Sequence, residues 1–340
     1  MLFQFIGASF LFALIGTRWL AAPGNRWSSA DLPNHRSLHH KTTPRGGGLS
    51  IVAALLLLQL ITSCQGEAIF PSWLAVCGFV AITLVSYWDD RLSLPSYARF
   101  LIHIGAAILL FWDHLRLDAL PLPSLLEIPF ALGWLAFPAT VLFAVWFTNL
   151  FNFMDGMDGL SGGMAVFGFG GCSWMAFLGA DPQLGTLCAV TSAAAAGFLV
   201  WNFPPARIFM GDVAAAPLGF LVAIVSFRGV SSGAFELWVP LILFAPFWVD
   251  ATVTLLCRAI RRERFWEPHR SHAYQRLAQA GWGHRRTTLY EYGLMGVLVG
   301  CARLYVSLES TGRAVVLLGL TLLFIALWAL AHSVETRAKI

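Results

Sequence analysis

Several carboxylates in this sequence fall in short clusters at the edges of apolar stretches. Asp89 and Asp90 are adjacent, Asp155 and Asp158 lie in Asn149-Leu-Phe-Asn152-Phe-Met-Asp155-Gly-Met-Asp158-Gly159, and Asp212 stands in Phe209-Met-Gly-Asp212. Carboxylates so close to hydrocarbon are costly, which makes them functional candidates. Two or three sharing a site repel unless a cation lies between them. Carboxylates with backbone and water oxygens suit Mg²⁺ or Mn²⁺. The cationic partners are Lys41, Arg45 and the segment Glu267-Pro-His269-Arg270-Ser271-His272. A metal with Lys, Arg and His can hold a diphosphate during group transfer. The run Gly46-Gly47-Gly48 allows close backbone approach at a helix start, where the dipole favours anions.

Each group also has a plainer reading. Asp89-Asp90 reads as a solvated helix end, Asp155 and Asp158 as a turn with a helix cap, and Asp212 as an N-cap. His269 and His272 read as added positive charge, and the glycines as helix packing. Asp250, inside an apolar run, either lines a cavity or pairs with a basic residue. The case for chemistry rests on the groups converging on one face.

The elements that must position them are membrane helices. Of 340 residues, 58% are hydrophobic and 12% charged, and the mean hydropathy is +0.70. A soluble domain carries roughly 25% charged residues. An ordinary cytosolic enzyme, a disordered chain and a disulfide scaffold are excluded, and an all-α polytopic membrane protein in the lipid bilayer remains. The net charge of +4 gives no argument for nucleic acid. The six cysteines form no C-x-x-C pair and read as small core hydrophobes. Apolar stretches near 1–20, 47–62, 73–88, 99–113, 134–152, 161–180, 184–201, 209–227, 235–256, 288–307 and 313–332 predict about eleven spans. The prolines at 121, 123 and 129 break the connection before the fifth span. The bent ninth span, with Pro240 and Pro246, is a candidate groove for a lipid tail.

Basic residues concentrate in 21–46, 89–98, 202–208, 257–287 and the tail, while the opposite loops hold little beyond Arg116, Arg228 and Arg313. By the positive-inside rule the N-terminus is outside, the C-terminus is cytoplasmic, and all the aspartate groups face the cytoplasm. The chain reads as a single membrane-embedded domain, 1–340. It includes one long basic loop, 257–287, with an interfacial helical piece around Ala273–Ala280. No repeat supports a transporter.

Five segments in order resemble a known family. They are Pro33-Asn34-His-Arg36-Ser37-x-His39-His-Lys41-x-Thr43-Pro44-Arg45-Gly46-Gly47-Gly48; Asp89-Asp90; Asn149–Gly159; Trp201-Asn202-Phe-Pro204-Pro-Ala-Arg207-Ile-Phe209-Met-Gly211-Asp212; and His269-Arg270-Ser-His272-Ala-Tyr274-Gln275. The family is the polyprenyl-phosphate N-acetylhexosamine-1-phosphate transferases, also called glycosyltransferase family 4. The His-Arg-Ser-His form is most similar to its O-antigen-initiating branch. The resemblance implies a Mg²⁺-dependent transfer of sugar 1-phosphate from a UDP-N-acetylhexosamine to undecaprenyl phosphate at the bacterial inner membrane, with UMP leaving. By match to the motifs, Asp89 and Asp90 fall on the paired catalytic aspartates and Asp212 on the magnesium aspartate. Asn152, Asp155 and Asp158 fall on the uridine and catalytic pocket, Asn202 and Phe209 on nucleoside contacts, and His269, Arg270 and His272 on the histidine-bearing loop. Lys41 and Arg45 fall in the first loop as substrate contacts. A homodimer is compatible with the sequence. One departure is Val213-Ala214-Ala215-Ala216-Pro217, where the family usually continues Gly-Ser. It leaves a catalytically impaired membrane scaffold, or a transporter of a lipid-linked or anionic substrate, as the alternative.

Overall fold

The computed structural model describes residues 1–32, 42–120, 130–264 and 269–338; Lys41 and Glu267 lie outside them. The chain is mainly helical: α1 (Leu2–Leu20), α2 (Leu49–Cys64), α3 (Trp73–Leu92), α4 (Ser96–Trp112), α5 (Ala136–Phe153), α6 (Leu160–Leu178), α7 (Pro182–Asn202), α8 (Asp212–Ser231), α9 (Trp238–Leu243), α10 (Ala245–Ile260), α11 (Ala273–Leu277), α12 (Gly283–Ser307) and α13 (Ser310–Ala338). Seven of these, α1, α3, α5 with the turn before it, α6, α7, α8 and α13, are long and apolar enough to cross a membrane. Helices α2 and α4 are shorter apolar helices.

The ninth apolar stretch is broken at Phe244, between α9 and α10. Pro246 sits in the first turn of α10, where its missing N–H leaves no bond unmade. Helix α12 begins at Gly283, before the predicted 288, because its first turns are polar and hydropathy does not register them. The segment 257–287 is therefore largely helical: α10 runs on to Ile260, α11 forms, and a break at Ala280 and Gly281 precedes α12.

Helix α8 is the hub. It packs on α2, α3, α5, α6, α7 and α9, and 89% of its apolar window is buried, against 6% for α13. Small residues permit this crowding. A Cβ on Gly219 would sit 2.2 Å from the carbonyl oxygen of Phe147 on α5.

Two short hairpins are the strands among the described residues. β1 (Ser29–Asp31) pairs antiparallel with β2 (Thr43–Arg45), Ser29 opposite Arg45. β3 (Ala119–Leu120) pairs with β4 (Phe130–Ala131). At the end of the bundle away from the aspartates, Arg116 pairs with Asp118 at 2.9 Å, Arg228 with Asp181 at 3.0 Å, and Arg313 with Glu236. Each of those three arginines is thus neutralised locally. Cys172 and Cys188 are buried, whereas Cys64 and Cys77 are exposed on helix faces and do not belong to the core.

Candidate active site

The site begins with β2 laid against the segment that precedes α8. The Phe209 N–H donates to the Pro44 carbonyl at 2.8 Å, and the N–H groups of Gly46 and Gly47 donate back to the Phe209 carbonyl at 3.1 and 2.9 Å. Gly48 N–H donates to Met210 O at 3.0 Å. These glycine amides, expected from the sequence as an anion cradle, are spent on protein carbonyls. The close approach expected of the glycines is realised. A Cβ on Gly48 would lie 2.3 Å from the Ala214 Cβ, and one on Gly47 2.9 Å from the Phe198 ring. Gly211, at φ +82°, adopts a backbone that favours glycine and brings its own Cα beside the Asp90 carboxylate.

On that platform the first loop, α3, α4, α5 and α8 converge. Asp212, in the first turn of α8, is bound by Arg45 through Oδ1, by the Asn152 amide at 2.9 Å and by Arg99 at 3.4 Å, both through Oδ2. The Arg99 nitrogen that reaches Asp212 also bonds Asp89. Asp90, with a side chain only 2% exposed, pairs with Arg45 Nε at 3.1 Å and accepts the backbone N–H groups of Asp212 and Val213. A carboxylate there satisfies two orphan donors and meets the positive end of the helix dipole. Asp89 accepts the Leu94 N–H at 2.8 Å, closing the turn between α3 and α4. The paired aspartates therefore diverge: Asp90 builds the start of α8, and Asp89 faces Arg99 and Asp212.

Asp155 is half-buried in the connection between α5 and α6. Burial, with Asp212 and Asp90 nearby, pushes its carboxyl up to about 8 against the pull of Arg45. Burial works against the charge on Arg45, but Asp212, Asp90 and Asp155 outweigh it and hold the guanidinium above the ordinary arginine value. Four carboxyl groups thus share two guanidiniums, a formal excess of two negative charges with all four ionised and of one while Asp155 holds its proton. That balance and the all-oxygen donor set fit a hard divalent cation. Among the described residues no three acidic, histidine or cysteine side chains are gathered as a ready metal cage; the arginines occupy the carboxylates instead.

Asp158 and Asn202 hold the neighbouring loops. Asn202 accepts the Gly159 N–H and donates to Ile208 O, both at 2.9 Å, and Asp158 accepts the Ala206 N–H at 2.9 Å and contacts His284 Nδ1 at 3.1 Å. Both expected substrate contacts spend polar groups on loop geometry. Phe209 is half-buried beside Arg45, across a parallel bridge.

The histidine segment is anchored to α10 by Asp250. Its carboxylate accepts the Ala273 N–H at 2.9 Å at the start of α11, accepts the Thr254 hydroxyl at 2.9 Å, and lies 3.6 Å from His272 Nδ1. Both readings of Asp250 hold: it pairs with the loop, and it also lines a cavity between α10 and α12. His272 is buried, His269 half-buried and Arg270 exposed. The imidazoles of His269 and His272 lie 4.8 Å apart, tilted by 36°, and His269 Nδ1 lies 2.8 Å from the Ser271 hydroxyl. Burial lowers the His269 ring to about 4, helped by His272 and Arg258, so it is neutral near pH 7. Tyr274 joins this segment to the aspartate loop: a Cβ on Gly156 would lie 2.4 Å from its hydroxyl.

Sequence reasoning passed over Arg99. Its signal was the short link Ser93-Leu94-Pro95, which turns α4 back against α3 and sets its first turn beside the last turn of α3. The altered segment after Asp212 keeps its backbone role, because the Val213 N–H still donates to Asp90, at 3.0 Å.

A family model for glycosyl transferase family 4 matches residues 72–230. The chain is 36% identical over 270 residues to a Bacillus subtilis (strain 168) protein named probable undecaprenyl-phosphate N-acetylglucosaminyl 1-phosphate transferase, covering 78% of this chain and 74% of that one. It is 30% identical over 309 residues to a phospho-N-acetylmuramoyl-pentapeptide-transferase of Synechococcus sp. (strain JA-3-3Ab), covering 85% and 87%.

Proposed function

The chain belongs to glycosyl transferase family 4, and on that premise we propose that it moves an N-acetylhexosamine 1-phosphate from a UDP-sugar to undecaprenyl phosphate, releasing UMP. It is a glycosyl-1-phosphate transferase and a multi-pass bacterial membrane protein. The reading extends to eleven spans, an outside N-terminus and a site on the cytoplasmic side of the inner membrane. The local pairing of Arg116, Arg228 and Arg313 supports that orientation, because the net excess of basic residues in the sequence then falls at the aspartate end. It extends also to the start of O-antigen or another surface polysaccharide, supported by the His-Arg-Ser-His form.

One observation carries the reading: Asp212 is held by Arg45, Arg99 and Asn152, from three separate elements. The acceptor phosphate is a monoester with its second pKa near ~6, mostly dianionic at neutral pH, so a strong base is not required. The barrier lies in bringing two anions together. Arg45 and Arg99 are the cations at hand, and phosphate oxygens are alternative partners for both. Asn152 keeps Asp212 oriented as those partners exchange. Asp90 is a positioning residue that fixes the first turn of α8. Neutral His269 offers a hydrogen bond rather than a charge. Mg²⁺ or Mn²⁺ would be held by Asp212 with Asp89, where it would screen the phosphates and stabilise charge on the leaving UMP.

The test is transfer from radiolabelled UDP-sugars to undecaprenyl phosphate by the purified protein, with UMP binding measured alongside. Asp212→Asn should abolish transfer and remove the Mg²⁺ dependence of UMP binding. Normal turnover of that variant at low Mg²⁺ defeats the assignment. A panel of UDP-N-acetylglucosamine, UDP-N-acetylfucosamine and UDP-N-acetylquinovosamine identifies the donor.

A further inference from the structure

Away from the aspartates, two cavities meet at Trp328. One, about 670 Å³, lies between α9 and α10 on one side and α12 and α13 on the other, with walls such as Leu241, Val249, Leu294 and Phe324. The second, about 520 Å³, opens at the end of α10 and is lined by Arg258, Arg261, Arg270 and Arg276, with Glu263 and Glu335. Trp328 lines both, and the Arg276 guanidinium lies 5.7 Å from its ring centre. Among the described lining residues four guanidiniums stand against two carboxylates, a formal excess of two positive charges, with Arg258 paired to Glu263 and Arg276 to Glu335 at 2.8 Å. Arg258 Nε is buried with no hydrogen-bond partner among the described residues, although its NH1 meets Glu263 at 2.9 Å.

The sequence expected the acceptor's tail along this bent span. The charge at the mouth argues for a different occupant. None of the residues around Asp212 lines either cavity. Helix α10 stands between: its Phe247 packs on Phe151 of α5, next to Asn152, at 4.9 Å, while Val249 and Thr252 face the apolar cavity. Asp250 also lines the apolar cavity, but its oxygens are turned to Thr254, His272 and the start of α11. Glu291 is the other acidic group on that wall.

We propose that the double cavity is a binding site for an anionic phospholipid of the bilayer, with one of its two acyl chains between α10, α12 and α13 and its phosphate among Arg258, Arg261 and Arg276. An apolar slot that ends in a basic pocket at the cytoplasmic surface suits such a headgroup. The bound lipid abuts α11 and Ser271, so it braces the histidine segment from the side opposite the aspartates. The inference rests on the membrane reading and the proposed orientation, and stands apart from the transferase reading.

The experiment is native mass spectrometry of the full chain in detergent, titrated with phosphatidylglycerol, phosphatidylcholine, undecaprenyl phosphate and inorganic phosphate. Wild type should retain phosphatidylglycerol over phosphatidylcholine, and Arg258→Gln with Arg261→Gln should weaken that lipid roughly tenfold. Ala314→Trp, which fills the apolar slot, should weaken it with the arginines intact. Undecaprenyl phosphate binding should be unchanged in all of these. Equal retention of both phospholipids overturns the proposal. So does loss of undecaprenyl phosphate binding in the arginine variant, which makes the cavity the acceptor's, and so does inorganic phosphate competing as well as the lipid. A chain that shows no transfer but passes this titration refutes the function alone.

Discussion

The Asp90 carboxylate accepts the backbone N–H of Asp212 at 3.2 Å and that of Val213 at 3.0 Å. One aspartate therefore sets the position of another, and the two are separated by more than a hundred residues of chain. Asp90→Ala leaves two helix-start amides and Arg45 without this partner. It should cost about 1–3 kcal/mol of stability, read as a lowered Tm in detergent, together with turnover. Asp90→Asn, which keeps one of the two acceptor oxygens, should recover part of the Tm and little of the turnover. Equal Tm for wild type and both variants removes the capping role.

Arg99 ties Asp89 to Asp212 through one nitrogen. Arg99→Gln should lower kcat roughly 100-fold or more, the scale of losing one donor to a developing charge. Arg99→Lys should recover part of it. A kcat within about twofold of wild type for Arg99→Gln would make the residue structural.

Asp250 holds the start of α11 and the His272 ring. Asp250→Ala should lower kcat with the Tm of the bundle little changed, and Asp250→Asn should restore much of it, since an amide oxygen still accepts from Ala273. A purely structural role predicts parallel losses of Tm and activity.

His269 gives a pH test with a definite sign. Its ring is lowered from 6.5 to about 4. Between those values the unfolded chain binds a proton that the folded one does not, so this contribution to stability rises with pH across that window and is fully present above it. A histidine ring NMR titration should place its midpoint near 4; a midpoint at or above 6.5 refutes the neutral-imidazole role.

Gly48 meets Ala214 where α2 crosses the start of α8, and a Cβ would fall 2.3 Å from the alanine methyl. Gly48→Ala should cost about 1–3 kcal/mol through overpacking. Ala214→Gly in the same chain should return part of it, and a double-mutant cycle measures the coupling. Strict additivity argues against that contact.

Much of the site was legible because charge beside hydrocarbon is rare. Asp89, Asp90, Asp155 and Asp212 announced themselves by type and position, and the structure gathers them around two arginines. What the residues do to one another was not legible. The divergence of Asp89 and Asp90 depends on side-chain direction at the end of α3. The use of the Gly46, Gly47 and Gly48 amides depends on a tertiary contact with Phe209 and Met210. Arg99 was masked by the general excess of basic residues at that end, and the polar start of α12 by the averaging in any hydropathy window. Helix positions followed the apolar stretches closely, because an unbroken apolar run of membrane length marks a helix whether it faces lipid, as α13 does, or protein, as α8 does.

Helix α8 meets protein on nearly every side. A lipid-facing helix drifts freely on its outer stripe, since one aliphatic side chain replaces another against fluid tails. Helix α8 has no such stripe. A change of size at almost any of its positions must be answered across a contact, as Gly219 answers the Phe147 backbone. Natural variation along this helix should therefore appear as paired exchanges with α2, α3 and α5, and its history should be read two positions at a time.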